Sequence, residues 1–275
     1  MPEAAGATTY LDRIVAAHRT MAAADTRPLP GLIEEARAQP PTRGFAAALR
    51  ADHARADHAR TLAVIAEVKR RSPSKGDLYP DLDAAAVARA YERGGAACLS
   101  VLTDVEFFGG SVADLHAARS ATALPVLRKD FTVSAADLCD ARSMGADAVL
   151  LIAAALDDAE LADLHALAVD LDLDALVEVH DEAELDRALE VGATLVGVNQ
   201  RDLVTFAVDP DRAVRVAAAM PASVMRVAES GIRGPGDASA LAAAGFDAVL
   251  VGESLVTARD PAAAVAALRR PPGRP

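Results

Sequence analysis

Aromatic side chains are scarce in this sequence of 275 residues: they make up 3% of it, and tryptophan is absent. A chain of this length buries roughly three quarters of its unfolded surface, so it can form a substantial core. Hydrophobic residues still account for 52% of the sequence. Alanine, valine and leucine must therefore fill the core, which is typical of alanine-rich proteins that alternate strands and helices.

Cysteine, basic residues and long apolar runs are also scarce, and each shortage argues against a class of protein. The two cysteines, Cys98 and Cys139, lack metal-ligand spacing, so we expect free buried thiols in a reducing cytoplasm. The 28 basic residues are outnumbered by 40 acidic ones, which argues against nucleic-acid binding. The longest apolar run, 148–156, is too short to span a membrane, and the N-terminus does not resemble a secretory signal.

From residue 62 onward the sequence follows one repeating pattern, in which short apolar runs alternate with alanine-rich segments of helical spacing. About eight such units predict parallel strands joined by helices. Because the glycine-rich signature of a dinucleotide-binding sheet is missing, a closed barrel is favoured over an open sheet. The predicted strands are 62–69, 97–102, 125–129, 148–152, 175–179, 195–199, 225–229 and 248–252. The predicted helices include 83–93, 135–143, 158–170, 182–190, 211–219 and 237–244, with glycines at the expected helix ends.

The first 60 residues do not follow this repeating pattern. Residues 10–20 and 30–38 have helical spacing and are separated by proline-rich breaks. The predicted fold class is therefore α/β, a (β/α)8 TIM barrel with extra N-terminal helices. We expect residues 1–60 to form a helical extension packed on the barrel, residues 61–270 to form the catalytic barrel, and residues 271–275 to be a disordered tail.

Charged side chains stand where several predicted strands end, which is where (β/α)8 enzymes carry their chemistry. Glu67 and Lys69 share one face of the first strand, so both can point into the barrel as an ion pair. Lys129 ends the third strand between apolar neighbours, and we expect the loss of solvation to lower its pKa. Glu178 ends the fifth strand and is a candidate acid or base. A purely structural ion pair and a lysine that reaches solvent at the rim are the competing interpretations.

Polar and small residues follow the remaining strands. Asn199 and Arg201 share one face after the sixth strand and can hydrogen-bond the oxygens of an anionic ligand. His180 is expected to lie in a loop behind the site. Glycines and serines at 229–231 and 252–254 match the usual phosphate site of this fold, although they could instead only form tight turns. The six histidines lack metal-ligand spacing, so no metal site is expected.

Several segments in this order resemble one family. They are YLDRIVAAHR (10–19), IAEVKRRSPSKG (65–76), LSVLTD (99–104), FFGGS (107–111), VLRKDF (126–131), LVEVH (176–180), GVNQRDL (197–203), AESGI (228–232) and VGESL (251–255). With them the chain resembles the indole-3-glycerol phosphate synthase family of tryptophan biosynthesis. AESGI also occurs in other phosphate-binding barrels, but the combination of EVKRRSPSKG, RKDF and EVH is specific.

The resemblance implies a carboxy-lyase. It implies ring closure of 1-(2-carboxyphenylamino)-1-deoxyribulose 5-phosphate to indole-3-glycerol phosphate, with release of CO₂ and water. The implied partner is this small phosphorylated substrate, with no cofactor and no metal, and other enzymes of tryptophan biosynthesis could associate with the chain. The resemblance also favours N-terminal helices that cover the mouth of the active site.

The family's residue roles carry over by position. Lys129 resembles the general acid that protonates the substrate ketone, Glu178 the acid or base of dehydration, and Lys69 the second catalytic lysine. The implied catalytic residues are Lys129, Glu178, Lys69, Glu67, Asn199 and Glu229. Asn199, Arg201 and Glu229 are the implied polar contacts to the substrate carboxylate or sugar hydroxyls. The implied phosphate site comprises Ser72, Ser230, Gly231, Gly252 and Glu253, and the implied pocket walls are Pro73, Phe108, Phe131 and Leu203.

One position departs from the family, and three further functions stay open. Gln200 stands where asparagine is frequent, and we expect little effect because its side chain should face away from Asn199 and Arg201. Phosphoribosylanthranilate isomerase, the first of the three functions, would explain a phosphate site but not the lysines with their glutamate. The second is an aldolase that forms a Schiff base on Lys129, and the third is a catalytically inactive barrel that only binds a ligand.

Overall fold

A computed structural model describes residues 9–54, 61–73, 75–202 and 207–269. In these residues eight parallel strands close into a barrel, and the first strand pairs with both the second and the last. The predicted (β/α)8 barrel is therefore confirmed. The barrel strands are β1 (Ala63–Val68), β4 (Cys98–Leu102), β5 (Val126–Lys129), β6 (Ala148–Ile152), β7 (Asp174–Val179), β8 (Leu195–Asn199), β9 (Met225–Glu229) and β10 (Ala248–Val251). A short antiparallel ribbon, β2 (Arg71–Ser72) and β3 (Gly76–Asp77), lies in the loop after β1.

Helices precede the barrel and connect its strands, with boundaries close to the predicted ones. They are α1 (Tyr10–Ala24), α2 (Leu29–Arg37), α3 (Phe45–Ala54), α4 (Ala84–Gly94), α5 (Val112–Ala121), α6 (Ala135–Ser143), α7 (Asp158–Asp170), α8 (Glu182–Glu190), α9 (Pro210–Ala219), α10 (Pro235–Ala243), α11 (Glu253–Val256) and α12 (Pro261–Arg269). A single 3₁₀ turn, Ala153–Ala155, follows β6. Among the helices of the described residues, none has the length and apolar character needed to cross a membrane.

Side chains next to the helix ends explain why the helices start and stop where they do. Ser134 and Asp157 form capping boxes, because each accepts a backbone N–H in the first turn while an acidic residue of that turn accepts theirs. At the other end, Gly95 follows α4 with φ +87°, a left-handed conformation that ends a helix at little cost in glycine. Positive φ is also found at the remaining predicted helix-end glycines, Gly145, Gly192 and Gly245.

The core has two layers, and aliphatic side chains fill both. One lies between strands and helices, and its largest fully buried aromatic is Tyr91 of α4. The other lies inside the barrel, where Ile65, Leu127 and Leu150 project from strands β1, β5 and β6. Both layers consist mainly of alanine, valine and leucine, as the low aromatic content predicts.

The three N-terminal helices pack on different parts of the barrel. Helix α3 closes the end where the strands begin, since its Phe45 and Leu49 are fully buried among the first residues of the strands. Asp147 and Asp174 fix this helix by accepting the backbone N–H groups of Arg43 and Ala46 at 2.7 and 2.8 Å. Helix α2 packs against α6, and α1 lies at the opposite end of the barrel, beside the 3₁₀ turn. The division of the chain at residue 60 and the tail at 271–275 stay predictions, because residues 55–60 and 270–275 lie outside the described ranges.

Candidate active site

The carboxyl ends of the strands open onto a cavity of about 620 Å³. Every predicted site residue within the described ranges lines this cavity, and Leu203 lies outside the described residues. The residues brought together are Glu67, Lys69, Ser72, Pro73, Phe108, Lys129, Phe131, Glu178, Asn199, Arg201, Glu229, Ser230, Gly231, Gly252 and Glu253. They come from segments far apart in the sequence, so the closed barrel is what makes them neighbours.

The ion pair expected at the end of β1 is present. Lys69 Nζ lies 2.6 Å from Glu67 Oε2, and Glu67 is 4% exposed. Two neighbours fix its position. Tyr91 donates its hydroxyl to the Glu67 carbonyl at 3.1 Å, and Gly252 leaves room for the side chains, since a Cβ there would collide with the Glu67 carboxylate. The pair is therefore held in one arrangement at the edge of the cavity.

Lys129 lies between two glutamates that come from other strands. Its Nζ is 3.4 Å from Glu178 Oε2 and 3.9 Å from Glu229 Oε2. Burial alone would lower the pKa of Lys129, but the negative charges of Glu178 and Glu229 outweigh it and raise the pKa above its ordinary value. The expectation of a lowered pKa was wrong, because the sequence neighbours of Lys129 did not reveal the carboxylates across the barrel.

The pKa values of the two neighbouring glutamates shift in opposite directions. Burial would raise the pKa of Glu178, but the charge of Lys129 and a 3.0 Å hydrogen bond from Asn199 Nδ2 lower it. Burial, together with repulsion from Glu178, raises the pKa of Glu229 well above its ordinary value. A Cβ at Gly197 would displace the Glu229 carboxyl group from its present position. Glu178 is therefore the more readily ionised member of this coupled pair.

His180 supports Glu178 from outside the cavity. Its Nε2 lies 3.6 Å from Glu178 Oε1, and its Nδ1 lies 3.0 Å from Glu184 Oε2. Burial lowers the pKa of His180, but the hydrogen bond to Glu184 and the charge of Glu178 raise it above its ordinary value. A protonated imidazole here stabilises the ionised form of Glu178.

Small residues after β9 and β10 form the other end of the cavity. Ser230 and Gly231 have φ of +64° and +72°. A serine in this left-handed conformation costs about 1 kcal/mol or more, and such strain is concentrated at functional sites. Ser72 is buried, and its hydroxyl has no hydrogen-bond partner within the described residues. Glu253 begins α11 and lines this end of the cavity, and its carboxylate binds Lys75.

Gln200 contributes more than its sequence position indicated. The side chain is 4% exposed, lines the cavity, and donates from Nε2 to the Ser230 carbonyl at 2.9 Å. That the departure from asparagine has little effect stays a prediction. Alternation along β8 does turn this side chain away from Asn199, but towards the neighbouring strand β9, where it holds the strained turn at Ser230.

Aromatic and aliphatic side chains form the apolar wall of the cavity. Phe108 and Phe131 lie with ring centroids 6.2 Å apart, and Pro73 lines the same cavity. Helix α1 adds residues that the sequence did not single out, Tyr10, Leu11 and Ile14. The sequence predicted a helix over 10–20, and the resemblance favoured N-terminal helices at the mouth of the active site, but neither indicated which side chains line the cavity.

A buried cluster beside this wall has metal-ligating atoms at ligand-like distances. His18, Asp104 and Asp130 each offer one such atom, and these atoms lie within 4.8 Å of one another. No sequence pattern signals this cluster, because the three residues lie on separate segments. Arg128 Nη2 lies 3.1 Å from Asp130 Oδ2, so a guanidinium already neutralises part of the acidic charge. We interpret the cluster as an ion-pair network.

The sequence matches the family model described as indole-3-glycerol phosphate synthase over residues 11–268. This chain belongs to the indole-3-glycerol phosphate synthase family. Proteins of that name from Mycolicibacterium vanbaalenii and a Polaromonas species are 49% and 50% identical to it over 265 and 260 residues. These matches cover 96% and 94% of this chain, and 94% and 97% of the relatives.

Membership of the indole-3-glycerol phosphate synthase family confirms the resemblance, and with it the class of carboxy-lyases in tryptophan biosynthesis. A small phosphorylated substrate fits such an enzyme. Among solved structures, a 3-hexulose-6-phosphate synthase superposes with a TM-score of 0.59 at 21% identity, over 76% of this chain and 98% of its own. At that identity the likeness shows the barrel fold alone.

Proposed function

We propose that the cavity binds 1-(2-carboxyphenylamino)-1-deoxyribulose 5-phosphate and closes it to indole-3-glycerol phosphate, releasing CO₂ and water. The observation that carries this proposal is the arrangement of Lys129 and Lys69. Both ammonium groups face the same cavity, and each is paired with a buried glutamate. The cavity combines them with an apolar aromatic wall and a polar end of small residues, which matches a substrate with an aromatic ring at one end and a phosphate at the other.

Lys129 is the proposed general acid for ring closure. The ketone oxygen gains negative charge as the ring carbon attacks, and an ammonium group in a buried site stabilises that charge and donates its proton. The flanking carboxyl groups, Glu178 and Glu229, keep Lys129 protonated before substrate arrives. A lysine with a raised pKa is a weaker acid, so we assign much of its effect to electrostatic stabilisation of the developing alkoxide.

Glu178 and Lys69 are the proposed acid and base groups for the later steps. Loss of CO₂ restores the aromatic ring. Dehydration then removes a proton from the newly formed five-membered ring and protonates the hydroxyl group, which departs as water. Glu178, whose pKa is lowered, lies beside Lys129 and can accept the proton that leaves the new ring. Lys69 is the second proton donor, with Glu67 holding its ammonium group at 2.6 Å.

The remaining polar residues are proposed to position the substrate. Asn199 and Arg201 bind the anthranilate carboxylate or the sugar hydroxyls, and Asn199 Oδ1 also accepts the Arg201 backbone N–H at 3.0 Å. Glu229 is a proposed polar contact of the same kind. The proposed phosphate contacts are Ser72, Ser230, Gly231, Gly252 and the backbone of Glu253. Leu203 stays a proposed wall residue, together with Pro73, Phe108 and Phe131.

The test is direct turnover. The chain contains no tryptophan, so the formation of indole-3-glycerol phosphate can be followed by indole fluorescence without a tryptophan background. We expect turnover of the carboxyphenylamino substrate and none of phosphoribosylanthranilate. Conversion of phosphoribosylanthranilate alone would support the isomerase, and a stable adduct at Lys129 after borohydride treatment with substrate would support a Schiff base. Binding without any turnover would indicate an inactive barrel.

The cellular setting is also part of this proposal. We place the reaction in the cytoplasm, and the buried free thiols of Cys98 and Cys139 support a reducing compartment. Association with other enzymes of tryptophan biosynthesis is proposed from the family alone.

A further inference from the structure

The buried cluster around His18 lies beside the proposed reaction site and takes no part in the proposed chemistry. His18 belongs to α1 and is 7% exposed. Its Nε2 lies 3.0 Å from Asp104 Oδ2, in the loop after β4, and 3.8 Å from Asp130 Oδ1, just after β5. The cluster therefore ties the N-terminal helix to two loops at the mouth of the barrel.

Asp104 connects His18 to the backbone of the loop. Its Oδ1 accepts the N–H groups of Phe107 and Phe108 at 2.6 and 3.0 Å, while its other oxygen binds His18. Hydrogen bonds to an ionised carboxylate are about twice as strong as neutral ones. The Asp104 carboxylate thus binds His18 of helix α1 through one oxygen. Through the other oxygen it fixes the turn that places Phe108 at the cavity.

Ring contacts form a second connection to the same place. The His18 ring lies 5.4 Å from the Phe131 ring, which in turn lies 6.2 Å from Phe108. Tyr10, at the start of α1, packs edge-on against Phe107 at 5.9 Å. Both the hydrogen bonds and the ring contacts of His18 therefore lead to the aromatic wall.

The charges around the cluster favour a protonated His18. Burial lowers the pKa of His18, but the hydrogen bond to Asp104 and the charges of Asp130 and Asp137 raise it above its ordinary value. The facing cation is Arg128, which binds Asp130 and donates to the Asp137 carbonyl at 3.0 Å. An imidazolium balances the carboxylate charge that Arg128 leaves uncompensated.

We propose that His18 is a positioning residue for the aromatic end of the cavity. Its bond to Asp104 holds the loop so that Phe108 and Phe131 form the wall on which the aromatic ring of the substrate packs. The inference rests on the proposed function, which supplies that ring. His18 does not line the cavity, so it acts on substrate binding through the loop and leaves the chemical step unchanged.

The first test needs no substrate. Hydrogen exchange at the Phe107 and Phe108 amides reports whether Asp104 still holds the loop. We expect His18→Leu to speed their exchange about tenfold, because it removes the hydrogen bond but retains an apolar side chain. His18→Gln retains an N–H donor and should restore most of the protection. If His18→Leu does not fold, His18→Met removes the same hydrogen bond with an unbranched apolar side chain and should give the same change. Asp104→Ala removes the acceptor of both amides and sets the upper limit of the effect.

The matched control is Arg19→Ala. Arg19 is the next residue of α1, but it binds Glu160 of α7 at 2.6 Å and the Ala155 carbonyl of the 3₁₀ turn at 3.1 Å. This variant loosens the same helix without touching Asp104. We expect the Phe107 and Phe108 amides to keep their protection in it.

The second test measures turnover. We expect His18→Leu to raise KM about tenfold, which corresponds to about 1.4 kcal/mol of binding, with kcat within about twofold. In a Phe108→Leu background, His18→Leu should raise KM little further, because His18 affects KM through the position of the Phe108 ring. Arg19→Ala should leave KM unchanged.

Each outcome decides a separate question. No turnover by the unmodified chain would refute the proposed function, while the exchange experiment would still test the link from His18 to the loop. Unchanged exchange in His18→Leu, or in His18→Met where His18→Leu does not fold, would overturn the inference. So would equal effects of His18→Leu and Arg19→Ala, or additive effects of His18→Leu and Phe108→Leu on KM.

Discussion

Replacing Lys129 by alanine should damage both catalysis and stability. We expect Lys129→Ala to lower kcat by more than about 10³-fold, since it removes a general acid together with electrostatic stabilisation of the alkoxide. The structure adds a cost to folding. Glu178 is 2% exposed, and its carboxylate lies 3.4 Å from the ammonium group that the variant removes.

The size of that cost follows from the geometry. At an effective dielectric constant of about 20, two unit charges at this distance attract each other by about 5 kcal/mol. Part of the loss is recovered because water can enter the space left by the lysine side chain. Breaking a buried ion pair typically costs about 3–5 kcal/mol, and we expect about 3 kcal/mol near neutral pH.

The pH dependence identifies the cause. In the unmodified chain Lys129 lowers the pKa of Glu178, so the pair stabilises the fold above the ordinary glutamate pKa and loses this effect as the pH falls. In Lys129→Ala the buried Glu178 has no lysine partner, and its pKa rises above that in the unfolded chain. The free energy of unfolding of the variant is therefore lowered at high pH, where Glu178 is charged. It recovers on acidification, when Glu178 becomes protonated. The difference in free energy of unfolding should shrink between about pH 8 and pH 5.

The assay combines kinetics with denaturant unfolding at several pH values. Glu178→Gln in the Lys129→Ala background is the matched control, because removing both charges should cost less than the sum of the single changes. Retention of more than a tenth of kcat in Lys129→Ala would refute the assignment of the acid. A stability loss of equal size at pH 5 and pH 8 would refute the electrostatic reasoning.

Three further predictions address other parts of the molecule. Ser230→Ala should raise KM about fivefold or more with a smaller loss of kcat, because phosphate contacts bind ground and transition states about equally; a thousandfold fall in kcat at unchanged KM would contradict it. Exhaustive treatment with EDTA should leave activity intact, and loss of activity that a divalent ion restores would show a metal requirement. Asp147→Ala should lower the free energy of unfolding by about 3–5 kcal/mol without changing kcat. Asp147 is fully buried, binds the Arg119 guanidinium at 2.5 Å and accepts the Arg43 and Val126 N–H groups, far from the cavity; unfolding curves and turnover rates check this.

Features that depend on local order in the sequence could be predicted well. Strand positions followed from short apolar runs, and the facing pair of Glu67 and Lys69 followed from alternation along one strand. Features that depend on the closure of the barrel could not. The pKa of Lys129 is governed by Glu178 and Glu229, which only the folded chain brings near it.

Alternation showed which side of a strand a residue occupies but not what stands opposite. Gln200 faces away from Asn199, as expected, yet it meets the Ser230 carbonyl on the next strand. For the same reason, the ligand-like grouping of His18 with Asp104 and Asp130 has no signal in the spacing of the sequence.

Helix α3 determines from which end of the barrel substrate and products can reach the cavity. Phe45 and Leu49, both fully buried, block the barrel interior at the end where the strands begin. In the described part of the chain the cavity therefore opens at the opposite end, beside Tyr10 and Ile14 of α1. Substrate therefore enters the cavity, and CO₂, water and product leave it, through the same opening. A bound product molecule prevents the next substrate molecule from binding. Product should therefore be a competitive inhibitor with respect to substrate.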